Sequence, residues 1–271
     1  MRENRFRRLI EVQQIMGMPI SVHVILGDLD RDRDTPAVGR ATGHAFDDLR
    51  EVDRVFSTFR EDSDIRRIAR GELDLADADP MVAEVLRESQ AAEAATRGRF
   101  SAWWQGWFDP TGLVKGWAVE RAAARFLRPL LAEPLVEAAG INAGGDMQLL
   151  TAPGSAWRWH VGIADPDDRM ATLATVDVGD GAVATSGTGE RGQHIIDPRT
   201  GRPATTVRSA TVVSDRLTHA DLWATTAVVA GFDDLGWLDE ARSESGMLIA
   251  PDGRIRRWTG STEVTVTERA G

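Results

Sequence analysis

The chain has 271 residues, of which 32 are Lys or Arg and 42 are Asp or Glu, so its formal net charge is −10. This acidic balance argues against binding to nucleic acid or to an anionic membrane surface. The chain has no cysteine and no tyrosine, which excludes disulfides, thiolate metal sites, cysteine nucleophiles and a catalytic phenol.

The hydrophobic pattern is that of an ordinary globular protein. Hydrophobic residues make up 42% of the chain, but no apolar run approaches the ~20 residues of a membrane-spanning helix. The charged N-terminal segment is not followed by the apolar stretch of a secretory signal. We therefore expect a cytoplasmic protein without a membrane span.

Lys115 is the single lysine among the 32 basic residues. One lysine can survive by chance in an arginine-rich chain. It can also be retained because the site needs a compact ammonium, which the planar fork of arginine does not replace. The count alone leaves these two interpretations about even.

Helices dominate the first half of the chain. Residues 12–26 alternate well enough to form strands. Apolar residues at helical spacing predict a helix over 38–55 and a second helix over 80–96. A third helix is predicted from Lys115 to about Leu131.

Strands dominate the second half. The predicted strands are Leu135–Asn142, Asp146–Leu150, Trp157–Ala164, Thr172–Val178, Ala182–Thr185 and Ser209–Ser214. A fourth helix is predicted over Thr218–Val229, a hairpin turn at Asp252-Gly253 and a last strand over 262–268. Helices early and strands late favour an α+β fold, and no break in composition divides residues 1–271 into two domains.

The segment Asp109–Gly116, DPTGLVKG, predicts a glycine-containing loop that leads into a helix. Backbone N–H groups and the positive end of the helix dipole favour a phosphate at such a junction, where Lys115 adds a positive charge. The spacing is not that of a P-loop. A ligand-free turn in which the Asp109 side chain accepts backbone hydrogen bonds is the alternative.

Two further motifs contain glycine and polar residues. Gly144-Gly145 predicts a sharp turn between strands, and Asp146 follows it; taken alone, a turn with a solvated Asp146 is favoured over a ligand site. Thr185 and Ser186 open a glycine-rich segment suited to phosphate or carbonyl oxygens. The nearby His194 is equally consistent with packing and with a functional role.

Asp221 and Thr225 are four residues apart, so they share one face of the fourth helix and can offer oxygen ligands to a hard cation. Taken alone, a capping box with Thr218 as N-cap and Asp221 at the third position is the stronger interpretation. Phe59 is consistent with stacking on an aromatic ligand or with the core. The nine tryptophans, several of them near residues 103–117, are expected mainly to pack; a place in the wall of a flavin site for one of them is the less favoured alternative.

Ten stretches, taken in order, resemble the FAD:protein FMN transferases, the ApbE-type flavin transferases, and span about residues 15–230. They are IMGMPISV (15–22), FSTF (56–59), DSDI (62–65), GRF (98–100), DPTGLVKG (109–116), NAGGD (142–146), WHVGIADP (159–166), ATSG (184–187), HIIDPRTG (194–201) and ADLWAT (220–225). Each stretch alone is a weak signal, whereas ten in register are a strong one.

The resemblance implies a single T-fold-like domain with mixed or antiparallel sheets and flanking helices. Such a protein binds FAD and Mg²⁺, transfers FMN to a Thr or Ser hydroxyl of an acceptor flavoprotein, and releases AMP. The implied Mg²⁺ ligands are Asp221, Thr225 and the carbonyl of Gly112. Together with the motifs above, the residues expected to bind FAD are Met16, Phe59, Arg99, Phe100, Asp109, Lys115, Asp146, Thr185, Ser186, His194 and Ile195.

The resemblance also suggests catalytic roles. Lys115 and Mg²⁺, held by Asp221, would neutralise the charge of the leaving group. His194 or a neighbouring carboxylate would take the proton of the acceptor hydroxyl. A Mg²⁺-dependent FAD pyrophosphatase, with water replacing the acceptor, and a non-enzymatic flavin carrier remain the alternatives.

The chain departs from the family pattern at three places. Phe59 stands where a tyrosine is usual, and Ala69 where an asparagine is usual. Gly98-Arg-Phe-Ser101 replaces the usual Gly-Ala-Phe-Asp and is followed by a tryptophan-rich bridge to Asp109. These changes affect the walls expected to contact the flavin and adenine rings more than the expected metal site.

Overall fold

A large antiparallel sheet forms the middle layer of the fold. The computed structural model describes residues 6–27, 36–168, 170–188, 195–241, 245–259 and 265–268. Within them the strands are β1 Arg7–Ile15, β2 Met18–Leu26, β3 Val136–Ala143, β4 Asp146–Thr151, β5 Trp159–Ala164, β6 Thr172–Val178, β7 Gly181–Gly187, β8 Ile196–Asp197, β9 Arg202–Pro203, β10 Ser209–Ser214, β11 Ser245–Ile249, β12 Ile255–Trp258 and β13 Thr265–Glu268.

The described strands pair antiparallel throughout. The large sheet has the order β1-β2-β3-β4-β7-β10-β11-β12, and a small sheet has the order β13-β6-β5. β8 and β9 form a short ribbon of their own. The expected α+β fold with antiparallel sheets is therefore confirmed.

Helices cover one face of the large sheet. They are α1 Pro36–Phe56, α2 Asp64–Ala69, α3 Pro80–Ala95, α4 Thr111–Ala122 and α5 Leu217–Ala230. The apolar stripe predicted for α1 is buried: Ala45, Leu49, Val52 and Val55 are each 0% exposed. Within the described residues, no helix is both long and apolar enough to cross a membrane.

The inner strands of the large sheet are buried on both faces, with alternate residues of each strand pointing to opposite sides. On β7, Ala182 and Ala184 pack in the core beneath the helices, whereas Val183 packs in a second core shared with the small sheet. On β10, Val212 and Val213 divide in the same way. The fold is therefore layered as helices, large sheet and small sheet.

The third predicted helix differs from the prediction at both ends. α4 begins at Thr111 rather than Lys115, because the carbonyl of Pro110 already accepts hydrogen bonds from the N–H groups of Leu113 and Val114. After Ala122 the chain continues as a π-helical turn, Ala123–Leu127, and a 3₁₀ turn, Pro129–Ala132. Arg128 keeps helical dihedrals of −61° and −42° before Pro129, so the backbone stays helical through these turns while its hydrogen-bonding pattern changes; proline itself lacks a backbone donor.

Candidate active site

A cavity of about 960 Å³ lies between the β1–β2 hairpin, the start of α4, the inner face of α5 and the ends of β5 and β7. Of the predicted site residues that the structure describes, all but Asp146 line it. They are Met16, Phe59, Arg99, Phe100, Asp109, Gly112, Lys115, Thr185, Ser186, Ile195, Asp221 and Thr225. His194 lies outside the described residues.

The β1–β2 hairpin presents Met16 to the cavity. Met16 and Gly17 form the two-residue turn with φ of 55° and 72°, and the strands pair up to Ile15 opposite Met18. Positive φ at both positions is the pattern of a type I′ turn. A non-glycine residue in this region stores about 1–2 kcal/mol of strain. Backbone strain of this kind is often found at functional sites.

The predicted Gly-Gly turn connects β3 to β4. Gly144 and Gly145 have φ of 61° and 104°, and Asn142 Oδ1 accepts a hydrogen bond from Gly145 N at 2.8 Å. The expectation of a solvated Asp146 is wrong, because this residue is 2% exposed. Asp146 is not among the residues that line the cavity, but it contacts Lys115 and Thr185, which are; its contact with a ligand stays a prediction.

Three charged side chains meet at the cavity wall. Lys115 Nζ donates to Asp146 Oδ2 and lies 3.5 Å from Asp221 Oδ1. The other oxygen of Asp146 accepts a hydrogen bond from Thr185 N at 2.9 Å. The lysine side chain is 31% exposed, whereas the two carboxylates are 2% and 5% exposed. One cation thus faces two buried anions, which leaves one negative charge uncompensated.

This arrangement shifts the pKa of both Lys115 and Asp221. Burial alone would lower the pKa of Lys115, but the two carboxylates raise it above its ordinary value. The pKa of Asp221 is raised to about 6, mainly by burial. The Lys115 ammonium partly opposes this shift, and the Asp146 carboxylate adds to it. The lysine is therefore kept protonated, while the ionised form of Asp221 costs free energy in the folded protein.

Asp221 does not cap its helix. α5 begins at Leu217, and the N–H and hydroxyl of Thr218 donate to Glu120 Oε2 at 3.0 and 2.6 Å. The capping-box interpretation is therefore wrong, because the hydrogen bonds of Thr218 go to Glu120 on α4 and not to Asp221 on its own helix α5. Asp221 Oδ2 is buried, and no hydrogen-bond partner for it is found among the described residues.

Gly116 allows α4 and α5 to approach closely at this point. A Cβ on Gly116 would lie 3.0 Å from the carbonyl oxygen of Leu217 and 3.1 Å from Asp221 Cβ. Contacts this short require one of the helices to move. Because Gly116 has no side chain, the helices approach closely enough for the Lys115 ammonium to lie beside the Asp221 carboxylate on α5.

The start of α4 is held by Asp109. Its Oδ1 accepts hydrogen bonds from the N–H and the hydroxyl of Thr111 at 3.1 and 2.7 Å, and its Oδ2 accepts from Gln105 Nε2 at 3.1 Å. The capped turn expected as an alternative is therefore present, although Asp109 also lines the cavity. Gly112 lies in the first helical turn, where a Cβ would come within 3.2 Å of the Phe100 ring.

The remaining predicted residues differ in exposure. Phe59 is 94% exposed and Phe100 is 7% exposed, although both border the cavity. The side chain of Arg99 is 12% exposed and donates to Asp234 Oδ2 at 2.9 Å. Ser186 and Thr225 are joined by a hydroxyl–hydroxyl hydrogen bond of 2.9 Å.

The sequence argument missed part of the cavity wall. The end of β5 and the following turn, Val161–Pro166, line the cavity, as do Trp104 and Arg208. Arg208 donates to Asp167 Oδ1 at 2.8 Å and to Thr188 Oγ1 at 3.4 Å, so it joins the turn after β5 to the end of β7. The family-like stretch at 159–166 was the available signal for this wall.

The oxygen atoms around α5 fit a hard cation. No group of three or more His, Cys, Asp or Glu side chains able to hold a metal is found among the residues the structure describes. Asp221, Thr225 and Gly112, which carry a carboxylate, a hydroxyl and a backbone carbonyl, all line the cavity. The unpartnered oxygen of Asp221 is the atom that a cation would satisfy.

Solved structures with the same fold include ApbE proteins. The flavin transferase ApbE from Vibrio cholerae superposes with a TM-score of 0.70 at 19% identity, covering 95% of this chain and 98% of that chain. The ApbE protein of Thermotoga maritima superposes with a TM-score of 0.76 at 21% identity, covering 93% and 97%. At these identities the likeness establishes the fold.

Sequence comparison supplies the family. A sequence model of the ApbE family matches residues 16–106 and 105–248, and the chain belongs to this family. The FAD:protein FMN transferase of Treponema pallidum is 34% identical over 171 residues, which are 56% of this chain and 46% of that protein. The one from Rhodobacter capsulatus is 42% identical over 118 residues, or 38% and 22%. The matches thus span less than half the length of these curated relatives.

Proposed function

We propose that this chain transfers FMN from FAD to a Ser or Thr hydroxyl of an acceptor flavoprotein and uses Mg²⁺ bound at α5. The observation that carries the proposal is the buried Asp221 carboxylate, which has an unpartnered oxygen beside Lys115 on the wall of the cavity. Membership of the ApbE family and the names of the relatives support FAD as the substrate.

The proposed Mg²⁺ ligands are Asp221, Thr225 and the carbonyl of Gly112. Magnesium prefers oxygen ligands and usually keeps several waters or takes oxygens from substrate phosphates, so a small protein ligand set is sufficient. When bound, Mg²⁺ neutralises negative charge on the phosphate oxygens. The single uncompensated charge of the Lys115, Asp146 and Asp221 group favours such a cation.

The chain's own residues orient the reaction. Lys115 stays protonated and directs its ammonium to the pyrophosphate, while Asp146 holds it in place. The acceptor oxygen forms a bond to the FMN phosphorus, and the bond from that phosphorus to the bridging oxygen breaks. AMP leaves with this oxygen and its electron pair. The hydroxyl proton passes to His194 or to a cavity carboxylate, the two acceptors that the sequence leaves open.

Asp221→Asn tests the proposal, with the exposed Asp233→Asn as matched control. Each protein is incubated with FAD, Mg²⁺ and an unflavinylated acceptor flavoprotein; intact mass measures FMN on the acceptor, and chromatography measures AMP. We expect Asp221→Asn to lose about 10²-fold or more in rate, since losing a catalytic metal ligand removes several kcal/mol of transition-state stabilisation. Its melting temperature without ligand should not fall, because the buried carboxylate costs free energy.

The products separate the alternatives. AMP released without mass gain on the acceptor would favour the FAD pyrophosphatase, and FAD bound without AMP release would favour the carrier. An Asp221→Asn protein that transfers FMN at the parent rate would refute the metal assignment.

A further inference from the structure

Trp104 is a large aromatic side chain that the fold leaves exposed at the cavity. It is 46% exposed and lines the cavity wall. Its neighbour Trp103 packs on Phe108 with ring centroids 5.3 Å apart, and Trp117 packs on Phe56 at 6.0 Å. Among the described residues, no aromatic ring contact involves Trp104. Its indole is therefore free to contact a ligand.

The loop that carries Trp104 is held by other groups. Asp109 N donates to the carbonyl of Ala102 at 2.7 Å and closes the loop at its base. Gly106 N donates to the carbonyl of Trp103 at 2.8 Å, which makes the turn at its tip. These bonds, together with the packing of Trp103, set the position of the backbone without the Trp104 side chain. A substitution at Trp104 should therefore leave the fold intact.

A second exposed ring borders the same cavity. Phe59 follows α1, is 94% exposed and lines the cavity together with Trp104. Exposed apolar area has a free-energy cost that a bound ring removes. Aromatic faces are suited to flat heterocycles, because every such ring has a π-face that can stack. The cavity thus has a phosphate-compatible side at Lys115 and aromatic side chains from two loops.

We propose that Trp104 is a ring-binding residue, whose indole stacks on one of the two flat rings of FAD. This inference rests on the proposed function, because it takes FAD as the occupant of the cavity. It adds to the expected contacts a residue from the tryptophan-rich bridge between Ser101 and Asp109. FAD contains an isoalloxazine and an adenine, and both offer the stacking surface that the inference requires.

Calorimetry on the full chain with Mg²⁺ tests this assignment. The variants are Trp104→Ala, Trp104→Phe and Trp107→Ala, the last being a tryptophan of the same loop that does not line the cavity. The ligands are FAD, FMN and ADP. We expect Trp104→Ala to raise the Kd for FAD about tenfold or more, and Trp104→Phe to raise it about threefold or less, because phenyl retains part of the stacking. Trp107→Ala should bind FAD like the parent.

The smaller ligands identify the ring. A matching loss of affinity for FMN assigns Trp104 to the isoalloxazine, and a loss for ADP assigns it to the adenine; either supports the inference. If Trp104→Ala binds FAD as tightly as the parent, or if both tryptophan-to-alanine variants weaken FAD binding equally, the inference is overturned while the proposed function stands. A parent protein that binds no FAD overturns both. Unchanged melting temperatures exclude unfolding as the cause.

Discussion

Replacing Lys115 by methionine should destabilise the protein even without a ligand. The side chain of methionine has a similar length, so the change removes the ammonium and retains much of the apolar stem. Asp146 and Asp221 are then left as two buried carboxylates without their cation. The lone lysine of the chain thus has a structural role that is separate from any contact with a phosphate.

The size of the effect follows from burial. Removing one partner of a buried ion pair costs about 3–5 kcal/mol, because the other charge remains desolvated. The Lys115 side chain is 31% exposed, and solvent screening reduces the cost to about 2–3 kcal/mol. For a protein of this size 1 kcal/mol corresponds to about 2–4 °C, so the melting temperature should fall by about 5–10 °C.

Thermal unfolding in low salt at neutral pH measures this fall. The matched control combines Lys115→Met with Asp146→Asn, which removes one of the orphaned charges and should restore at least half of the loss. Lys115→Arg should retain the stability but bind FAD more weakly, since the larger fork cannot occupy the position of a compact ammonium. A Lys115→Met protein that melts within about 2 °C of the parent, or a double variant no more stable than the single one, would refute the reasoning.

Two further predictions concern the packing of a glycine and the titration of a histidine. Helix propensity alone favours Gly116→Ala by about 1 kcal/mol. The new Cβ would lie 3.0 Å from a carbonyl oxygen at the start of α5, so we expect this variant to have a lower melting temperature and weaker FAD binding. As a control, Gly43→Ala places a Cβ with nothing within 4 Å and should raise the melting temperature. Burial and Arg8 lower the pKa of His23 from 6.5 to about 4. Between pH 6.5 and pH 4 the unfolded chain therefore binds a proton at this residue more readily than the folded chain does. The free energy of unfolding should fall by about 1–2 kcal/mol as the pH drops through this range. Urea titrations at both pH values should show this part of the pH dependence disappear in His23→Gln; an equal pH dependence in parent and variant would contradict it.

Local patterns predicted the elements that depend on local physics. Hydrophobic periodicity predicts the apolar stripe of α1, and a proline marks the start of α3 at Pro80. The turn residues Asp252-Gly253 predict the hairpin between β11 and β12. Gly253 has a φ of 84° in the turn between β11 and β12. These features depend on neighbours in the sequence, so a single chain contains enough information to predict them.

The charged residues of the site were harder to interpret because their partners come from other elements. Asp146 looked solvated since nothing nearby in the sequence shows that Lys115 will meet it. Thr218 looked like an N-cap since Glu120, which accepts its hydrogen bonds, lies on a different helix. Trp104 is exposed, but the sequence does not distinguish it from the neighbouring aromatic residues that pack in the core. Family resemblance supplied what local pattern lacked, because it selects residues by their place in a shared fold.

The walls of the cavity come from segments that are distant in the chain, from Met16 on the first hairpin to Val229 near the end of α5. Such a cavity exists only when the first hairpin and α5 have both folded and docked, so a ligand that fills it binds the native state in preference to states in which either is undocked. At a concentration one hundred times its Kd, that ligand adds about 2.7 kcal/mol to the free energy of unfolding. Contacts between distant segments are also the slow ones to form. The concentration of the ligand would therefore influence how much of the chain keeps its folded form.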